Sequence, residues 1–166
     1  MRAKIAIPNE FELKTLDDFL SLIFDVDDKA SERKKQVAER RVGIAKVLLE
    51  RLRAKRETYV EDWLEVILEY LGDEELLNEY KQLLREFEDG KISKTAINKR
   101  MRKKLKKEGY PIYALEQDWI AVKKTLLELK LISKTSNRLN LARDYTFADG
   151  LNELIKFYSK WRAGEL

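Results

Sequence analysis

Apolar residues recur every three or four positions along most of this chain, and the one break in that rhythm limits what the rest can fold into. Up to Lys130 the spacing is helical; beyond it come Leu131 and Ile132, then Leu139, Leu141, Tyr145 and Phe147, the last four at odd positions. A two-residue period belongs to strands, not to helices. Residues 131–134 and 138–141 therefore read as two short strands around a polar tip, Thr135-Ser136-Asn137. Asn tolerates the left-handed conformation that a tight hairpin needs. Two strands alone are marginal, so helices must hold the pair.

The helical stretches are delimited by caps and breakers. Phe11, Leu13, Leu16, Phe19, Leu20, Ile23 and Phe24 predict a helix over residues 9–24, closed by Asp25, Asp27 and Asp28. Those aspartates read as a turn and a charge cap, because the later glycine and bidentate glutamate of a calcium loop are missing. A long helix over 29–56 carries Ala30, Val37, Ile44, Leu48 and Leu52. Its first part, SERKKQVAERR, is thinly apolar and is expected to project or pack loosely. The seven-residue spacing of Ala30, Val37 and Ile44 permits a homodimer through residues 9–56, with packing on the first helix as the alternative.

Thr58 and Glu61 form a capping-box pattern for a third helix, which runs through Trp63, Ile67 and Leu71 to Gly72. Asp73 caps a fourth, with Leu76, Tyr80, Leu83, Leu84 and Phe87 on one side and Asp89-Gly90 at its end. Ser93 caps a fifth over 94–107, whose apolar residues are only Ala96, Ile97, Met101 and Leu105. Glu108-Gly109-Tyr110-Pro111 breaks it. A sixth, 114–130, buries Leu115, Trp119, Val122, Leu126 and Leu129, and a last one, 148–162, offers Leu151, Leu154, Ile155, Tyr158 and Trp161. All three tryptophans fall on apolar stripes and are expected in the core.

The chain has no histidine and no cysteine. That removes the commonest general base, the commonest transition-metal ligand and every thiolate site. Enzymes of the Ser-His-Asp, Cys-His or His-zinc kind are excluded, no spacing of Asp and Glu marks a metal site, and a non-enzymatic protein without cofactors is expected. The opening MRAKIAIPNEF is too polar for a signal peptide, and no apolar run is long enough to span a membrane. These features predict a cytoplasmic protein with no membrane partner. Its wealth of Lys and Glu points to a thermophilic source.

Charge separates the chain into blocks. Residues 58–90 carry 2 Lys and Arg against 11 Asp and Glu, whereas residues 91–145 carry 15 against 5. The overall +4 conceals this contrast. A solvated ionic surface would mix signs along each helix; here residues 99–107 are nearly all cationic. A polyanion is the expected partner of the basic block. The acidic pair of helices would face away from it or cover the empty basic face.

The order helix 73–88, helix 94–107, helix 114–130, hairpin, final helix resembles the winged helix-turn-helix family. The resemblance rests on Ile92-Ser93-Lys94 with Ala96-Ile97 as the capped start of the second helix, on residues 126–132 as a recognition helix entering a wing strand, and on residues 134–141 as the wing. It spans residues 73–145. The link 108–113 is longer than the family's short turn, and the tip has no glycine. The resemblance implies a mainly α chain: a helical extension, 1–57, for dimerisation or partner binding, then a winged-helix-like domain, 58–166, with one short β-hairpin and a C-terminal helix. It also implies duplex DNA binding, as a transcriptional regulator or an accessory factor of a mobile element. A protein–protein interaction module on the same fold and an RNA-binding protein are the alternatives.

The candidate contacts follow from charge and position. Lys94, Lys99, Arg100, Arg102, Lys103, Lys104, Lys106 and Lys107 on the fifth helix would anchor phosphates, giving affinity without sequence preference. On the sixth, Gln117 can pair adenine and Lys124, flanked by Lys123, can reach guanine. Glu116, Asp118 and Glu128 lie close by and are expected to repel phosphates. Lys134, Arg138 and Arg143 would reach the adjacent backbone or minor groove. Tyr110 and Tyr113 are stacking candidates for exposed bases, with a plug in the link as the alternative reading.

Overall fold

The computed structural model describes residues 13–24, 29–143 and 146–166. Two helices come first, α1 (Leu16–Ile23) and α2 (Glu32–Arg53). After the two-residue strand β1 (Thr58–Tyr59) come α3 (Trp63–Leu71), α4 (Glu74–Glu88), α5 (Lys94–Lys107) and α6 (Ile112–Glu128). The ribbon β2 (Ile132–Thr135) and β3 (Arg138–Leu141) leads to α7 (Thr146–Arg162). The chain is mainly helical with a small antiparallel sheet of order β1-β3-β2. Among the described residues, no helix is long and apolar enough to cross a membrane. Residues 9–12 of the expected first helix and the turn at Asp25, Asp27 and Asp28 lie outside the described residues.

Several starts are where side chains can satisfy free backbone N–H groups. Thr15 and Asp18 close a capping box on α1. Ser31, Asp73 and Ser93 each accept from an N–H one turn in, opening α2, α4 and α5. Gly72, at φ +67°, ends α3 as expected.

Three local expectations are overturned. Thr58 caps no helix: it is fully buried in β1, paired with Leu139, and α3 begins five residues later behind Asp62. The backbone N–H of Val60 donates to the Asn137 carbonyl at 2.8 Å, which locks this strand to the ribbon tip. The expected lone hairpin is thus a three-stranded sheet. Its tip is two residues, Ser136-Asn137, and the left-handed residue is Ser136 at φ +56° rather than Asn137. Finally, α6 stops at Glu128 because Lys130 turns left-handed (φ +60°). The N–H groups of Leu131 and Lys130 then reach the carbonyls of Leu126 and Leu127, a Schellman closure made without glycine.

Two apolar clusters hold the elements. The larger joins Leu20 and Ile23 of α1, Ile44 and Leu48 of α2, Val66 and Ile67 of α3, Trp119, Val122 and Leu126 of α6, and Ile132 and Leu139 of the sheet. The N-terminal helices are therefore packed into the same core as α6 and the ribbon. Of the seven-spaced trio, Ile44 is fully buried there, whereas Ala30 and Val37 are half-buried. The smaller cluster uses the other side of α3, Leu64 and Leu68, with Leu76, Tyr80 and Leu83 of α4 and Ile97, Met101 and Leu105 of α5. Helix α5 lies at the outer edge of this second cluster. Trp119 is core and Trp63 half-buried, but Trp161 stands in solvent, against expectation.

Candidate nucleic-acid interface

Helix α5 buries only Ile97, Met101 and Leu105, spaced by four, so most of its circumference is free for charge. Lys99, Arg100, Lys103, Lys104, Lys106 and Lys107 are all exposed. A groove of about 730 Å³ runs between α4 and α5, bounded by Glu79, Arg100, Lys103, Lys104, Lys106 and Lys107. A second, about 640 Å³, lies between α5 and the start of α6, bounded by Arg102, Lys103, Lys106, Tyr110, Pro111 and Tyr113 among others. Lys103 and Lys106 stand on the ridge common to both.

Few of these cations are neutralised. Lys104 pairs with Glu79, and this is the one ion pair described between α5 and the acidic block. Arg102 donates to Glu116 at 2.9 Å and lies over the Trp63 ring at 5.1 Å, which makes it a strut between helices. Lys94 lies 5.5 Å over the Phe87 ring. Among the described residues, Lys99, Arg100, Lys103, Lys106 and Lys107 form no ion pair. The acidic helices spend Glu65 and Glu69 elsewhere, on the buried Arg51. Covering of the basic face by the whole acidic block is not what the packing shows.

Helix α6 exposes Tyr113, Gln117, Ile120 and Lys124 on one side. The expected repulsion from its carboxylates needs correction. Asp118 is 2% exposed, on the side facing α2, where Arg40 Nε and Arg41 Nε donate to its two oxygens at 2.7 and 3.1 Å. Its neighbours Leu115 and Trp119 carry it inward. Glu116 is held by Arg102. These two carboxylates are paired, whereas Glu128 is exposed on the same side as Lys124, so the expected repulsion falls to that one residue.

The ribbon divides its cations between two faces. Lys134 is paired with the buried Leu139, so both project toward the helices. Burial, and then the charge of Lys134, hold the Lys123 ammonium below its ordinary range. These two lysines therefore lie within mutual electrostatic reach. Lys123 stands seven residues, two helical turns, beyond Glu116, on the flank of α6 that Arg102 reaches from α5. That flank connects the α5 cations to Lys134. Arg138 projects from the opposite sheet face, 5.7 Å over the Tyr59 ring and 3.0 Å from Glu57, so it does not join them. Arg143 is exposed after β3, and its carbonyl accepts from the Thr146 hydroxyl.

The two tyrosines expected in the link part company, since only Tyr110 lies in it and Tyr113 stands in the first turn of α6. Tyr110 is half-buried and its hydroxyl donates to Asp73 Oδ2 at 3.0 Å, a bond that pushes its pKa up. It is the plug. Tyr113 is 77% exposed beside Arg102, Lys103 and Lys106. An open cationic ridge with one free aromatic ring can neutralise phosphates and offers one surface for stacking. Among the described residues, no group of three Asp or Glu could hold a metal ion. The chain matches no protein-family model, no curated protein and no solved structure.

Proposed function

We propose that this chain binds nucleic acid, duplex DNA above all, without catalysing a reaction, through the solvent face of α5 and the adjoining flank of α6. The observation that carries this reading is the set of five α5 cations, Lys99, Arg100, Lys103, Lys106 and Lys107, exposed together and with no carboxylate partner among the described residues. Lys123, Lys124 and Lys134 extend the same positive surface, and Gln117 and Lys124 supply its donors for base edges. Arg102 and Arg138 are reassigned as structural, since each is engaged by a ring and a carboxylate. The winged-helix resemblance read from residues 73–145 agrees with this proposal, because α5, α6 and the ribbon follow one another in the order it implies.

The test is a charge reversal with an internal control. Lys103→Glu, Lys106→Glu and Lys107→Glu together should abolish a gel shift of random duplex DNA at low salt. Reversing Lys81 and Arg85, exposed on α4, should leave it intact. Equal loss in both variants would mean that total charge, not this surface, governs association. Competition between the duplex and a structured RNA decides which nucleic acid is preferred.

A further inference from the structure

Alone among the described helices, α7 has no buried residue. Its base is attached, with Phe147 edge-on to Phe19 at a centroid distance of 5.9 Å. Beyond that contact its apolar side is open: Leu154 is 69%, Ile155 61% and Trp161 60% exposed. Phe147, Leu151, Leu154, Tyr158 and Trp161 follow at steps of four and three, the spacing of a helix-pairing seam, and Ile155 and Phe157 widen it. The exposed apolar side chains from Leu151 to Trp161 present on the order of 800 Å², which is what each partner contributes to an interface of standard size. Apolar patches beyond a few hundred Å² on a lone chain mark interaction sites.

We propose that α7 packs antiparallel against α7 of a second copy of this chain, across a twofold axis near Leu154. The area selects this occupant, since it matches one side of a standard interface and a second copy of the helix supplies the same area in return. Antiparallel pairing opposes the two helix dipoles, whereas parallel pairing would align them. Asp149, Glu153, Lys156 and Lys160 lie on the side away from the seam and stay in water. A twofold contact is self-complementary, so one helix supplies both sides. The mixed signs of the polar side argue against an anionic lipid surface, which selects a basic one.

The proposal stands apart from nucleic-acid binding, and its test uses the full chain alone. Sedimentation at about 100 µM, above the micromolar range in which interfaces of this size assemble, should give the mass of two chains. Leu154→Glu with Tyr158→Glu should give one chain with its helical circular dichroism retained. The chain has no cysteine, so introduced thiols report directly. Leu154→Cys, near the axis, should cross-link to itself on oxidation, and Trp161→Cys, at the far end, should not. A monomeric wild type, a dimer that survives the double substitution, or self-linking by Trp161→Cys in place of Leu154→Cys would overturn the proposal. So would a monomer that floats with lipid vesicles.

Discussion

Replacing Asp118 by asparagine removes the one carboxylate that joins α6 to two arginines of α2 and leaves the shape unchanged. The cost can be worked from the geometry. Arg40 and Arg41 each donate through Nε to a different oxygen, at 2.7 and 3.1 Å, and the side chain between them is 2% exposed. Asparagine keeps a single acceptor and turns an N–H donor toward the other arginine. Breaking a fully buried pair costs about 3–5 kcal/mol. Here the arginine side chains are 27% and 35% exposed, so their charges regain water once released. That lowers the expected loss to about 2–3 kcal/mol. For a chain of this size each kcal/mol moves the midpoint by about 2–4 °C, so melting should fall by roughly 4–12 °C. Thermal and urea unfolding by circular dichroism measure it. Duplex affinity should stay within about twofold, because a carboxylate paired with two arginines on the α2 side adds little to the potential at a ligand on the far side of α6. If Asp118→Asn tightened DNA binding and left stability intact, the carboxylate would have to face outward, and the reassignment of α6 would fail.

Three further outcomes follow from packing and protonation. A Cβ at Gly43 would collide with the Tyr70 ring, where α2 and α3 approach closely, so Gly43→Ala should cost about 1–3 kcal/mol in urea unfolding despite alanine's better helix propensity; trimming Tyr70 to Leu in the same chain should recover part of the loss. Tyr70 and Tyr80 are pushed up in pKa chiefly by burial, and Tyr110 chiefly by its bond to Asp73. The folded chain then holds these protons more tightly than the unfolded one, so their stabilisation is complete below about pH 10 and is lost as pH rises through the raised values. Denaturation from about pH 9 to 12 should show the decline, and Tyr110→Phe should make it shallower. Lys130→Gly should raise stability by up to about 1 kcal/mol, because the left-handed closure of α6 strains any residue with a Cβ; a lower melting point would contradict that account.

What could be read in advance divides along physical lines. Helices with capping side chains or a terminal glycine, α4 and α5 above all, were legible because the signal is local. The ribbon was legible from its two-residue period. Strand β1 was not, since two residues carry no period and Thr58 with Glu61 offers a local capping alternative that pairing with β3 overrides. The end of α6 was hidden because Lys130 and not glycine takes the left-handed turn. In the candidate site, exposure of the α5 cations followed from their narrow apolar stripe, but their partners did not. That Lys104 meets Glu79, that Arg102 bridges Trp63 and Glu116, and that Asp118 turns inward to α2 are tertiary facts. Buried Arg51 had no signal, because its acids lie on the helix after the strand. The stripe on α7 was legible as a helix, yet nothing local distinguishes a buried face from an open one.

The central claim is that the α5 cations with no ion pair among the described residues act together on one polyanion. The most direct measurement is the salt dependence of duplex binding by the wild-type chain, followed by fluorescence anisotropy on a random sequence. If about four to six phosphates are neutralised, the log–log slope should be on the order of −4 to −5, and each single Lys→Ala change at Lys103, Lys106 or Lys107 should reduce its magnitude by about 1. No binding at low salt, or a slope that these substitutions leave unchanged, would contradict the account.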